Sequence, residues 1–247
     1  MKTAMELYKY LDDTIPVSLS LDWDNDGLMC AAGINDPVKH VMLTLDVTEE
    51  AVDYAAAQGI DTIISHHPLI FKPLKNIENN KLVKLIQNNI TVMSFHTRLD
   101  IIENGVNTQF ANLLELTDIE IFGGIGRVGS LPREYAFYDF IKHIKELLKC
   151  GHVSAVKKNN TVSRVAVTGG DGKDFYKDAL KSGADTYLTG NLSYNMMIDA
   201  AEYPMNVIEA GHYQTENFIC KYLEQLVLNF DGNVKTEIFE SNRILYL

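Results

Sequence analysis

Two adjacent histidines, His66 and His67, follow the apolar run Thr62-Ile63-Ile64-Ser65 and precede Pro68. Two more pairs of ligand-type residues come after strand-like runs: His96 and Asp100 behind residues 90–95, and His212 and Glu216 behind residues 207–210. Imidazole suits zinc, iron and nickel, while a carboxylate can bridge two ions and offset their charge. If the runs end side by side, these six residues compose a dinuclear metal centre. Mixed imidazole and carboxylate ligands suit zinc, iron, manganese and nickel alike, so the expected cofactor is two divalent transition-metal ions per subunit, of open identity.

Each pair has a plainer alternative. Neighbours on an extended segment point to opposite sides, so His66 and His67 suit two ions, one each, unless a turn intervenes. Pro68 is compatible with a turn because it keeps His67 out of the helical region. The alternative is a buried pair hydrogen-bonded to backbone, but two histidines together amid apolar residues favour function. If a helix starts near Gly211, the i,i+4 spacing puts His212 and Glu216 on one face; the plainer alternative is a solvent-exposed helix pair. His96 and Asp100 share that spacing, on a loop or a helix. Asp100 is a natural anionic ligand, and His96 either binds metal or orients a ligand from behind. Asp46, after the strand at 41–45, either lines the same rim or serves as a turn carboxylate. His40, His143 and His152 have no partner pattern and read as surface residues.

The elements that must carry these residues alternate β-branched runs with helical patterns, which predicts an α/β fold. Strands are expected at 41–45, 60–65, 162–167, 185–188 and 206–209. Helices are expected at 48–58, 81–88, 175–181, 194–201 and 215–228. The second half echoes the first: Gly59-Ile60-Asp61-Thr62-Ile63-Ile64-Ser65 aligns with Gly183-Ala184-Asp185-Thr186-Tyr187-Leu188-Thr189 at an offset of 124. Val41 and Val165, Thr44 and Thr168, and Ala55 and Ala179 share that offset, and His96-x3-Asp100 mirrors His212-x3-Glu216 at 116. The pattern predicts two similar, duplicated α/β lobes with the metal site between them; the plain alternative is the common grammar of any two β–α–β units. Four glycines and Pro132 within residues 122–132 mark the expected crossing. The expected divisions are residues 1–124, 125–204, and a closing segment 205–247 that brings His212 and Glu216.

With 247 residues, 46% of them apolar, the chain can bury a sizeable core. A net charge of −11 argues against general nucleic-acid binding, which needs a basic face. Cys30, Cys150 and Cys220 lack paired spacing, as expected of core thiols in a reducing, cytoplasmic setting. No apolar run is long enough to span a membrane. Two motifs fail on inspection. Residues 22–27 open like a calcium loop, but the twelfth position is Gly33 where a glutamate is required. Thr168-Gly169-Gly170-Asp171-Gly172-Lys173 lacks phosphate-loop spacing and leaves at most weak anion binding through backbone N–H groups.

The sequence resembles the NGG-interacting-factor-three-like proteins, also known as GTP cyclohydrolase 1 type 2 homologues. The resemblance runs nearly end to end, through Trp23-Asp24-Asn25 with Gly27-Leu28, Ser65-His66-His67-Pro68 with Phe71-Lys72-Pro73, and His96-Thr97 with Leu99-Asp100. It continues in Gly105-Val106-Asn107, Gly126-Arg127-Val128-Gly129, Thr189-Gly190 and Gly211-His212 with Glu216. The resemblance implies a dinuclear centre in which His66 and Asp100 bind one ion, His67 and His212 the other, Glu216 bridges both, and His96 lies beside them. It also implies a ring-shaped homohexamer of the compact form. Relatives often carry an acidic residue where this chain has Asn191. The leading expectation is a metal-dependent hydrolase of a small molecule, with GTP ring opening as the borrowed activity. Its catalytic groups stay open: water activated by the ions, with Glu216 as the candidate side chain. The alternatives are a metal storage, delivery or sensing protein with a closed ligand shell, or an interaction scaffold.

Overall fold

A computed structural model describes residues 2–245. They form two compact units: residues up to Ile102 completed by Ile219–Arg243, and a second unit built on Glu103–Phe218. The chain opens with α1 (Ala4–Thr14), started by a capping box in which Thr3 and Glu6 satisfy each other's backbone N–H groups. β1 (Gly27–Ala31) and β2 (His40–Thr44) follow. α2 (Glu49–Gln58) begins on the Thr48 hydroxyl, places Glu49 and Glu50 at its positive end, and stops at Gly59 with φ 66°. β3 (Thr62–Ser65), α3 (Asn80–Gln87), β4 (Thr91–Ser94) and the short α4 (Thr97–Ile101) complete this stretch.

The second unit contains α5 (Val106–Leu113), β5 (Thr117–Phe122), β6 (Gly126–Ala136), α6 (Phe137–Leu147), β7 (Ser154–Val156) and β8 (Thr161–Asp171). α7 (Tyr176–Lys181), β9 (Thr186–Asn191), α8 (Tyr194–Ala200) and β10 (Asn206–Glu209) follow. The chain then returns to the first unit as α9 (Ile219–Phe230) and β11 (Lys235–Phe239).

The first sheet runs β1-β4-β3-β2-β11, parallel except for β1 at one edge. Every residue of β2, β3 and β4 is buried, as expected for parallel strands covered on both faces. Met42, Ile63 and Val92 pack under Ala51, Val52 and Ala55 of α2 and Leu85 of α3. The second sheet runs β5-β6-β8-β9-β10-β7, with β8, β9 and β10 parallel. Alternation along β8 sends Val165 and Val167 into one core and Ala166 into the other.

The expected lobe boundary is not where the glycines are. Residues 122–132 belong to the β5–β6 hairpin, and Gly123 and Gly124 take the positive φ values, 57° and 77°, that its tight turn needs. The chain instead crosses at 102–103 and again at 218–219. The segment 205–247 is accordingly divided, with β10 in the second sheet and β11 in the first.

The internal echo is visible in the ladders. Val41 faces Thr62 and Thr44 faces Ser65; at the offset of 124, Val165 faces Thr186 and Thr168 faces Thr189. Asp61 accepts the N–H groups of Lys39 and His40 and the Thr62 hydroxyl. Asp185 accepts those of Ser163 and Arg164 and the Thr186 hydroxyl, position for position. Cys150 and Cys220 are buried, Cys30 is half-buried, and none of the three is in a disulfide. His40, expected at the surface, is buried on β2 with Nε2 3.4 Å from Glu237 of β11. Among the described residues, no helix is long and apolar enough to cross a membrane.

Candidate metal centre

The expected ligands of the first unit stand past the carboxyl ends of parallel strands, where α/β sheets place their sites. Asp46 follows β2, His66 and His67 follow β3, and His96 follows β4 and caps α4. The N–H groups of His66 and His67 donate to Thr44 O and Leu45 O, and the chain then turns ahead of Pro68. Because of that turn the two rings do not diverge as extended neighbours would; their centroids are 5.1 Å apart. His96 closes a triangle at 5.3 Å and 5.7 Å. One ligand nitrogen of each of these histidines lies within 4.8 Å of the other two. Asp100 is on the helix α4, and its Oδ1 is 3.5 Å from His66 Nε2.

In the second unit, His212 and Glu216 bracket one 3-10 turn, Tyr213–Thr215, which sets His212 Nε2 3.0 Å from Glu216 Oε2. The expected pairing therefore holds without an α-helix from 215; Glu216, at φ −133°, leaves helical geometry and α9 starts only at Ile219. Thr215 Oγ1 accepts from Gly170 N and donates to Gly211 O, pinning the turn against β8. Gly170 has φ +58°, and a Cβ there would lie 2.1 Å from Glu216 Oε1 and 3.0 Å from His212 Nε2. This glycine makes room for the pair. It does not cradle an anion: the N–H groups of Gly169, Gly170, Gly172 and Lys173 already donate to Asn107, Thr215, Asn191 and Asp171.

The donor chemistry fits metal. Each of the four imidazoles has its Nδ1 against an oxygen acceptor: His66 on Phe95 O at 2.9 Å, His67 on Asp46 at 2.7 Å, His96 on Asp24 at 2.8 Å, and His212 on Asn191 Oδ1 at 2.8 Å. A carbonyl or ionised carboxylate can only accept, so Nδ1 carries the proton and Nε2 keeps the lone pair that a cation takes. Glu216 and Asp100 are both buried, and each has a carboxylate oxygen within 3.5 Å of an imidazole Nε2. A divalent cation offsets the cost of such burial, which two neutral rings cannot do.

Two outer residues were hidden in the sequence. Asp24 lies in the stretch that opens like a calcium loop, yet its side chain is fully buried and also accepts from Thr97 N at 3.0 Å and from the Thr97 hydroxyl. Burial pushes its carboxyl up, but hydrogen bonds from His96 and Thr97 prevail and hold it well below the usual range. Asp26 accepts from Ser20 and from His96 N and meets the fully buried Arg98 at 3.2 Å. Arg98 also reaches Asp12 and Ile15 O, so this network ties the 20–27 turn to α4. Asn191 holds His212 through its amide oxygen. Asp46, left open between rim and turn, supports His67 and itself accepts from Ser241.

The Duf34/NIF3 (NGG1p interacting factor 3) family profile matches residues 2–244. A Streptococcus pneumoniae protein called GTP cyclohydrolase 1 type 2 homolog is 33% identical over 234 residues, 88% of each chain. A Helicobacter pylori protein called GTP cyclohydrolase 1 type 2 is 29% identical, covering 98% of each. Among solved structures, a Staphylococcus aureus hypothetical protein superposes with TM-score 0.90 at 27% identity over 99% of both chains. Reduced HcgD from Methanocaldococcus jannaschii superposes with TM-score 0.82 at 27% identity, covering 96% of this chain and 97% of that one.

Proposed function

Because the chain belongs to the Duf34/NIF3 family, we propose that it is a dinuclear-metal-dependent hydrolase of a small molecule, with GTP ring opening as the first activity to test. The observation that carries this reading is the uniform set of imidazoles, each with Nδ1 held by an oxygen acceptor, which fixes the tautomer whose Nε2 lone pair can bind a cation. His66 and Asp100 would hold one ion and His67 and His212 the other, with Glu216 shared and His96 beside them. Two such ions supply Lewis acidity and bring the pKa of water toward neutrality.

The protein's own part is to place and orient donors. Asp46, Asp24 and Asn191 fix three of the rings, and Gly170 leaves space for the His212–Glu216 pair. The side chains of His67 and His212 remain 24% and 41% exposed, which favours access for a substrate over a closed storage site. Three cysteines outside any disulfide accord with a cytoplasmic, reducing setting. Assembly into a homohexamer follows the resemblance and is checked by light scattering.

The deciding experiment measures metal per chain in protein purified without a metal-affinity tag, for the wild type and Glu216→Ala. About two ions in the wild type, lost in the variant, supports the centre and justifies a turnover assay on GTP. Negligible metal after supply of zinc, iron, manganese and nickel overturns it. Two ions without turnover of GTP removes that substrate and leaves the centre.

A further inference from the structure

The single tryptophan of the chain, Trp23, is 61% exposed, and Phe71 is 47% exposed. Large aromatic rings left in water forgo the burial that draws most of their kind inward. These two are not scattered. Their centroids are 6.1 Å apart, and each ring stands against the same imidazole, that of His96, at 6.2 Å and 6.4 Å. Both planes are steep to the His96 ring, at 77° and 84°. Three rings thus make an aromatic corner in the first unit, one of them a member of the imidazole cluster.

The flanks of the corner hold it there. Asp24, next to Trp23, is buried on His96 and Thr97. The Asn25 side chain donates to Ile70 O, the residue before Phe71, and Leu69 N donates to Ser94 on β4. The backbone on both sides is therefore fixed, and the exposed rings stay beside His96. On the turn that carries Phe71, Lys72 and Lys75 are also exposed, in a chain whose net charge is −11. Two exposed cations within four residues of an exposed ring, on an acidic protein, suit a ligand that is both flat and negatively charged.

We propose that Trp23 and Phe71 are the binding wall for a flat aromatic ring carried by an anionic substrate, with Lys72 and Lys75 receiving the anionic end. The inference rests on the hydrolase reading for the fate of the bound molecule, but ring binding itself needs no metal. A ring seated there adjoins His96, and that contact orients the rest of the molecule relative to the first unit's ligands.

Because Trp23 is the sole tryptophan, its fluorescence reports this corner alone. Metal-free and zinc-loaded protein would each be titrated with GMP, with guanosine as the uncharged aromatic probe and ribose 5-phosphate as the non-aromatic anion. Saturable quenching by GMP and guanosine but not by ribose 5-phosphate is expected. Phe71→Ala should weaken GMP about tenfold, the size of one lost stacking partner. Lys72→Gln with Lys75→Gln should weaken GMP and leave guanosine unchanged. No saturable quenching by either aromatic probe overturns the proposal, as does equal affinity in Phe71→Ala. A concentration-dependent blue shift with loss of acrylamide quenching also overturns it, by giving the corner to a second copy of the chain. Zinc binding without quenching sinks the wall alone, whereas quenching without zinc binding sinks the metal reading alone.

Discussion

In the first unit, three positions past the parallel strands carry polar groups: Asp46 after β2, and His66 and His67 after β3. At the offset of 124 the second unit has Gly170, Gly190 and Asn191. The strand registers are the same through Thr44–Ser65 and Thr168–Thr189, although beyond them β8 shifts register to pair Asp171 with Asn191, so the shared frame alone does not explain the difference. Space does. In the second unit the turn bearing His212 and Glu216 lies directly on those glycines: a Cβ at Gly190 would sit 2.6 Å from Thr215 Oγ1 and 2.9 Å from His212 Cα. One unit offers donors from two successive strand ends and from His96 and Asp100. The other gives up side chains at the strand ends so that a single turn can lie close. A repeated scaffold has been given two complementary jobs, and the division is made by side-chain volume.

The strongest way to break that comparison is to put a methyl group where the second unit has none. Gly170→Ala requires a left-handed backbone and collides with Glu216. It should lower unfolding stability by about 3 kcal/mol or more and abolish metal binding, read from urea denaturation and elemental analysis. Asp46→Ala, at the matching place in the first unit, empties space instead. Its expected stability cost is about 1 kcal/mol, with metal affinity down about 10- to 100-fold through a loosened His67. Equal effects at the two positions would refute the division.

Asp24→Asn tests the next tier. The amide keeps the shape but loses the charge that makes Asp24 an obligate acceptor for both His96 and Thr97. Metal affinity should fall about 10- to 100-fold, and the loss should be confined to the ions that depend on the first unit. An unchanged affinity in competition with a chelator would show His96 to be a bystander.

Much of this was legible in the sequence because it is periodic or local. The β–α–β ladders are spelled out by β-branched runs, by Thr48 and Gly59 at the ends of α2, and by the constant offset from Val41 to Thr189. The ligand types could be named because histidine pairs after apolar runs are unusual neighbours. What failed depends on long-range pairing. Nothing near Lys235 says that it joins the first sheet, and its partner β2 lies almost 200 residues earlier. The glycines at 123 and 124 announce a turn but not which kind, because a hairpin turn and a crossing between lobes share that composition. Asp24 was invisible for a similar reason: a carboxylate in a polar turn looks solvated until the partner, His96, is seen to fold over it.

The shared frame itself can be sharpened with a smaller effect. Asp61→Ala and Asp185→Ala each remove a carboxylate that clamps two backbone N–H groups and a threonine hydroxyl at the start of the equivalent ladder. Each should cost about 2 kcal/mol in urea unfolding, and the two costs should agree within about 1 kcal/mol. A large imbalance would mean that the matching register hides different energetics.

The smallest expected effect would make the second unit chemically more like the first. His67 is held by a carboxylate and His212 by an amide, so Asn191→Asp converts one arrangement into the other. The new carboxylate would still accept the Nδ1 proton, and its charge would raise the donor strength of His212 Nε2. Stability should move by less than about 0.5 kcal/mol, while metal affinity rises by up to about tenfold. Asn191→Ala supplies the opposite sign, because the ring then loses its acceptor. If Asp weakens binding as Ala does, the amide must act through its N–H2 group as well as its oxygen, and the parallel between Asp46 and Asn191 fails.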